Sequence, residues 1–84
     1  MKFILNPVLE MIKKIETILK GLRPELDFRE SNDFFEDGLL DSFELVLLVT
    51  ELENTFEIKI DGAEIVPENF NNLVVIKSLV DKSK

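Results

Sequence analysis

Apolar residues recur at helical spacing in three stretches of this 84-residue chain, and the stretches between them carry turn signals. In the first, Val8, Met11, Ile12, Ile15, Ile18 and Leu19 fall on one stripe, with Lys13, Lys14 and Lys20 off it. Asn6 suits the N-cap, Pro7 the first helical position and Gly21 the C-terminal stop. A second helix is expected to start at Asp41-Ser42, with Glu44 three residues after Asp41 as a capping-box partner, and to end near Phe56. A third runs from about Asn72 to Asp81 on Leu73, Val75, Ile76, Leu79 and Val80. Ile58 to Gly62 alternates weakly, as a short strand would, and Pro67 to Phe70 suits one turn of helix. The pattern predicts a small all-α bundle in one domain spanning residues 1–84.

The connection from Leu22 to Leu40 is long for a compact domain, and long connections often carry function. Leu26, Phe28, Phe34 and Phe35 are expected to pin it across the core.

The second helix is apolar on two sides. At about 100° per residue, Leu45, Leu48, Val49, Leu52 and Phe56 share one arc of about 100°, wide enough for a core stripe. Phe43, Val46 and Leu47 lie roughly opposite. Either the long loop folds over these three, or they form a docking patch for a partner, rimmed by Asp41, Glu44, Glu51 and Glu53. The docking patch is preferred for Val46 and Leu47; for Phe43 the two readings are balanced.

Composition removes most catalytic chemistry. The chain has no cysteine and no histidine, so it lacks disulfides, thiolates and the commonest general base and metal ligand. Net charge is −7. It is uneven: Glu25 to Glu68 holds 14 acids and two bases, a net of −12, and the remainder three acids and eight bases, a net of +5. An acidic middle argues against nucleic acid and favours a basic partner surface. No run is long enough for a membrane span and the N-terminal apolar run is too short for a signal peptide, so a cytoplasmic monomer is expected.

Four serines are present, Ser31, Ser42, Ser78 and Ser83, and Ser42 alone stands at a predicted helix start, behind Asp37-Gly38-Leu39-Leu40-Asp41. Amides at a helix start favour a phosphate group, and Gly38 lets the chain turn close to it. With no histidine to activate it, Ser42 reads as a hydroxyl modified by another protein. On this physics alone, Asp41-Ser42 starting a helix and nothing more is the commoner case.

The run Asp37-Gly38-Leu39-Leu40-Asp41-Ser42-Phe43, followed by Leu45, Val46, Leu48 and Glu51-Leu52-Glu53, resembles the attachment motif of the acyl carrier protein family. The likeness continues through Phe56, Ile58 and Ile65-Val66-Pro67-Glu68-Asn69-Phe70. It implies a four-helix carrier bundle with a short third helix and a long loop between the first two. It implies that Ser42 carries a 4′-phosphopantetheine arm from coenzyme A, whose thiol holds an acyl or aminoacyl group as a thioester. It further implies a phosphopantetheinyl transferase, a loading ligase and downstream acyl-using enzymes as partners, with no catalysis by the carrier itself. Two residues depart from the common pattern. Phe43 replaces the usual Leu after the serine, and Leu47 stands where many fatty-acid carriers have an acid. A bulky residue other than Leu after Asp-Ser is similar to D-alanyl carriers. Three readings compete: an unmodified module that binds a partner helix, an EF-hand on Asp33, Glu36, Asp37 and Gly38 whose loop pattern fails, and an enzyme, for which no acid–base pair has a distinguishing spacing.

Overall fold

The computed structural model describes residues 7–84. Three α-helices build it: α1 (Pro7–Leu22), α2 (Ser42–Phe56) and α3 (Leu73–Ser83). Three-residue 3₁₀ turns lie at Phe28–Glu30, Gly62–Glu64 and Pro67–Asn69. The bundle is all-α, as the periodicity predicts. In the place of the short third helix that the family likeness implies, the chain makes the two turns at Gly62–Glu64 and Pro67–Asn69.

α1 packs against both α2 and α3. Its inner stripe is Ile15 and Leu19, fully buried, flanked by Met11 and Ile18. Val8, at the end of the expected stripe, is half exposed. The expected N-cap, Asn6, lies outside the described residues. Gly21 does not stop the helix; α1 continues through it to Leu22. Pro24 explains the difference, because proline has no N–H to donate and its ring disfavours helical conformation at the residue before it. The Arg23 amide closes the last turn on the Leu19 carbonyl at 2.9 Å.

The long loop is tied down as its aromatic residues suggest. Phe28 and Phe34 are buried edge to face, with ring centroids 5.1 Å apart, and Leu26 and Phe35 pack at the margin of the core. The Phe34 amide donates to the Asn71 carbonyl at 2.7 Å, fastening the loop to the segment before α3.

Ile58 to Gly62 forms no strand; among the described residues there is none. Its alternation has another cause. Glu57 takes a left-handed conformation (φ 54°, ψ 51°) that ends α2 and reverses the chain. Ile60 is then buried and Ile58 half-buried, while the Ile60 amide donates to the Glu53 carboxylate at 2.9 Å. A side chain supplies the acceptor that a neighbouring strand would have provided.

α3 begins on Asn72, whose side chain accepts from the Val75 amide at 2.9 Å, and it extends two residues past Asp81. Ile76, Leu79 and Val80 are buried against the other helices. No buried side chain among the described residues is charged, so apolar burial dominates the interior.

Candidate functional site

The segment from Ser31 to Leu40 folds on its own hydrogen bonds and delivers the chain to the start of α2. The Asp33 carboxylate accepts from the Phe35 and Glu36 amides at 3.1 and 3.0 Å. The Ser31 hydroxyl donates to Asp37 at 2.6 Å and accepts from the Asp33 amide at 3.1 Å. Two of the acids that suggested a calcium loop, Asp33 and Asp37, are thus engaged in building a turn. The Phe34 carbonyl receives both the Leu39 and Leu40 amides, at 2.7 and 3.1 Å. Between these anchors Gly38 sits at φ 76°, a left-handed conformation that side chains resist. A Cβ there would meet nothing within 4 Å, so glycine is required by the backbone and not by crowding.

Leu40 is buried, and the next residue caps the helix. The Asp41 carboxylate accepts from the Glu44 amide at 2.9 Å, and the Glu44 carboxylate accepts from the Asp41 amide at 3.1 Å. This is the capping box expected from the sequence. Ser42 is the first residue of α2 and is exposed, and its hydroxyl makes no hydrogen bond among the described residues. The first amides of any α-helix have no carbonyl partner within the helix, and they carry its positive end. An exposed hydroxyl beside such amides is chemically suited to becoming a phosphodiester.

The two apolar sides of α2 separate as the wheel predicts. Leu45, Leu48, Val49 and Leu52 are buried and Phe56 is half-buried. Phe43, Val46 and Leu47 are 72%, 60% and 40% exposed, so the loop does not fold over them. The acidic rim is less uniform than expected. Glu51 faces solvent. Glu44 is set inward, its side chain only 13% exposed, and its second carboxylate oxygen receives Arg23 Nη1 at 3.0 Å. Glu53 is turned toward Ile60.

Arg23 was not a candidate from the sequence. Its Nε also donates to Glu25 at 2.8 Å, so one guanidinium joins two acids. Glu25 and Glu44 together hold Arg23 above its ordinary value, and Arg23 in turn draws the Glu25 carboxyl below the usual carboxylate range. The only signal in the sequence is position: Arg23 is the last base before the acidic block, placed at a helix end by Pro24.

Comparison with known proteins supplies the context for this geometry. Residues 8–80 match the phosphopantetheine attachment site family. The chain belongs to that family. A carrier of this kind bears an acyl or aminoacyl group, and the family is generally non-catalytic. The chain is also similar to the D-alanyl carrier protein of Lactococcus lactis subsp. lactis (strain IL1403), with 33% identity over 76 residues, covering 88% of this chain and 96% of the relative. The D-alanyl carrier protein of Lactococcus lactis subsp. cremoris (strain MG1363) is 32% identical over 74 residues, covering 86% and 94%. That of Streptococcus uberis (strain ATCC BAA-854 / 0140J) is 43% identical over 44 residues, covering 52% and 56%. No solved structure gives a significant match. When attached, the 4′-phosphopantetheine arm supplies the thiol on which the cargo rides as a thioester. The residues at the start of α2 fit such an attachment: an exposed hydroxyl without a hydrogen-bond partner among the described residues, and a helix terminus suited to phosphate. Among the described residues, no helix is long and apolar enough to cross a membrane.

Proposed function

We propose that Ser42 is the attachment residue and that this carrier takes an aminoacyl cargo, D-alanine, for delivery by partner enzymes in the cytoplasm. The observation that carries the assignment of Ser42 is its placement as an exposed hydroxyl at the first position of α2, framed by Gly38 and the Asp41–Glu44 box. The cargo assignment is supported by the near full-length likeness to D-alanyl carriers and by Phe43 and Leu47, the two departures from the common acyl carrier pattern. The chain itself supplies the hydroxyl, holds it at a helix end and presents Phe43, Val46 and Leu47 as an apolar docking face with Glu51 on its edge. Asp41 and Glu44 serve the frame of the site, with their carboxylates turned to backbone amides. The partners are a phosphopantetheinyl transferase, a loading ligase and the acceptor enzymes; catalysis belongs to them.

Intact-protein mass spectrometry after incubation with coenzyme A and a broad-specificity transferase is expected to show one phosphopantetheinyl addition, absent in Ser42→Ala. Addition persisting in that variant would move the site elsewhere. No addition to the native chain would favour the unmodified helical interaction module, for which the exposed face of α2 is the motivating feature. Loading of the modified protein by a D-alanine-activating ligase, compared with a fatty-acyl ligase, tests the cargo.

A further inference from the structure

A single arginine outside α2, Arg23, contacts the capping box at the start of that helix. Its backbone is anchored at both ends: the Arg23 amide donates to the Leu19 carbonyl at 2.9 Å, and the Arg23 carbonyl accepts from the Leu26 amide at 3.1 Å. The side chain leaves this fixed base at the end of α1 and reaches across 21 positions of sequence to Glu44. Glu44 uses its two oxygens on different partners. One takes Arg23 Nη1 at 3.0 Å and the other takes the Asp41 amide at 3.1 Å. Asp41 completes the chain by accepting the Glu44 amide at 2.9 Å. The residue between the two box partners and nearest the cap is Ser42.

We infer that Arg23 is a positioning residue for the modification of Ser42, acting through Glu44 and the capping box to hold the first turn of α2 in the conformation the transferase accepts. The inference rests on Ser42 being the attachment residue. In that reaction the Ser42 Oγ–P bond forms as a P–O bond of the coenzyme A diphosphate breaks. The hydroxyl proton passes to the transferase and adenosine bisphosphate leaves. Arg23 touches none of these atoms. Its contribution is orientation, because a glutamate left free at a helix start samples several rotamers, only some of which reach the N-cap amide.

Three features make the contact specific. Glu44 and Glu51 are seven residues apart and share one side of α2, but only Glu44 stands in the first turn, where Arg23 reaches it; its side chain is mostly buried while that of Glu51 is open. Arg23 presents two N–H groups in a fixed fork, so it can hold Glu25 and Glu44 together, and a lysine point charge cannot reproduce both directions. The guanidinium also places positive charge beside the acidic block, and its removal leaves the Glu44 carboxylate without its ion-pair partner.

The test is a double-mutant cycle read by transferase kinetics on the full chain, with Ser42→Ala as the control for the site itself. Arg23→Met keeps the stem and removes the charge. Glu44→Gln keeps an oxygen for the Asp41 amide and removes the ion pair. Each is expected to lower kcat/KM for phosphopantetheinyl addition by about fivefold, in line with loss of one capping interaction. The double variant is expected to be no slower than the worse single variant, because both break one interaction. Arg23→Lys is expected to recover only part of the loss. Amide exchange at Asp41, Glu44 and Leu45, the hydrogen-bonded amides of this turn, should quicken in Arg23→Met while exchange at Leu48 and Leu52 stays slow, separating a local effect from general destabilisation. Multiplicative losses in the double variant would mean that Arg23 touches the transferase directly and would overturn the inference, as would unchanged kinetics in Arg23→Met. If Ser42→Ala is still modified, the failure lies in the site assignment and not in Arg23.

Discussion

Within α2, Leu47 and Leu48 are neighbours of the same chemical type, yet Leu48 is fully buried and Leu47 is 40% exposed. The difference extends along the helix. Leu45, Leu48, Val49 and Leu52 lie under the rest of the bundle, whereas Phe43, Val46 and Leu47 face out. Hydrophobicity along a helix marks a side chain for burial; which side is buried inside the molecule depends on what covers it. The bundle covers one arc of α2, and the tethered loop, whose own phenylalanines are used against the core, does not extend over the other. An apolar face left in this way beside the exposed Ser42 is the surface we propose a partner enzyme meets first.

The sharpest way to break this comparison is to truncate the two leucines in parallel. Leu48→Ala removes a fully packed side chain and is expected to cost about 2–5 kcal/mol. For a domain of this size each kcal/mol shifts the melting temperature by about 4–8 °C, so a thermal melt will show it plainly. Leu47→Ala is expected to leave stability within about 0.5 kcal/mol. It should instead weaken productive docking to the transferase or loading ligase by about tenfold, the effect of losing part of a buried leucine at an interface. A large fall in melting temperature for Leu47→Ala, with unchanged transfer kinetics, would place that side chain in the core and erase the distinction.

A smaller effect tests how the loop contributes to the site. Gly38→Ala forces a Cβ into a left-handed conformation and is expected to cost about 1–2 kcal/mol, although the space around it is open. Because the strain falls three residues before Asp41, it should also slow modification of Ser42. Denaturant unfolding and transferase kinetics measured together would show whether the loop merely spans the helices or holds the serine in place.

The smallest effect concerns charge. Arg23 lowers the Glu25 carboxyl relative to its unfolded value, so the interaction favours the folded state only while Glu25 is ionised. This contribution is present above the unfolded value of about 4.5 and fades as pH falls through the lower folded value. Glu25→Gln is therefore expected to reduce stability slightly near pH 7 and to reduce it less near pH 3, as read by the midpoint of urea unfolding. An equal loss at both values would mean that packing or hydrogen bonding, and not charge, is what Glu25 contributes. The effect is small because both groups reach solvent, where water screens the pair.

The three helices, the cap of α2 and the place of Ser42 were all readable from the chain alone, since each depends on residues within a few positions of one another. Periodicity marked the core arc of α2, and Asp41 with Glu44 marked its start. Two local signals misled. Gly21 suggested an end to α1 that Pro24 imposes instead, and the alternation of Ile58 and Ile60 suggested a strand where Glu53 captures the backbone of a single extended segment. In the first case a proline further on withdraws a donor, and in the second a side chain supplies an acceptor; pattern alone encodes neither.

Family membership and the attachment motif were likewise legible in the sequence, because Asp41-Ser42 and its flanking leucines form one continuous segment. What only the tertiary structure decided is which apolar side chains stay exposed and which acids remain free. Glu44 and Glu51 read alike as surface acids, yet one is held by Arg23 at the end of α1 and the other faces solvent. That choice depends on how α1 packs against α2, both of which place buried residues, Ile15 and Leu19 from one and Leu48 and Leu52 from the other, in one core. A contact spanning 21 positions has no local signature, and packing alone brings its two ends within hydrogen-bonding distance.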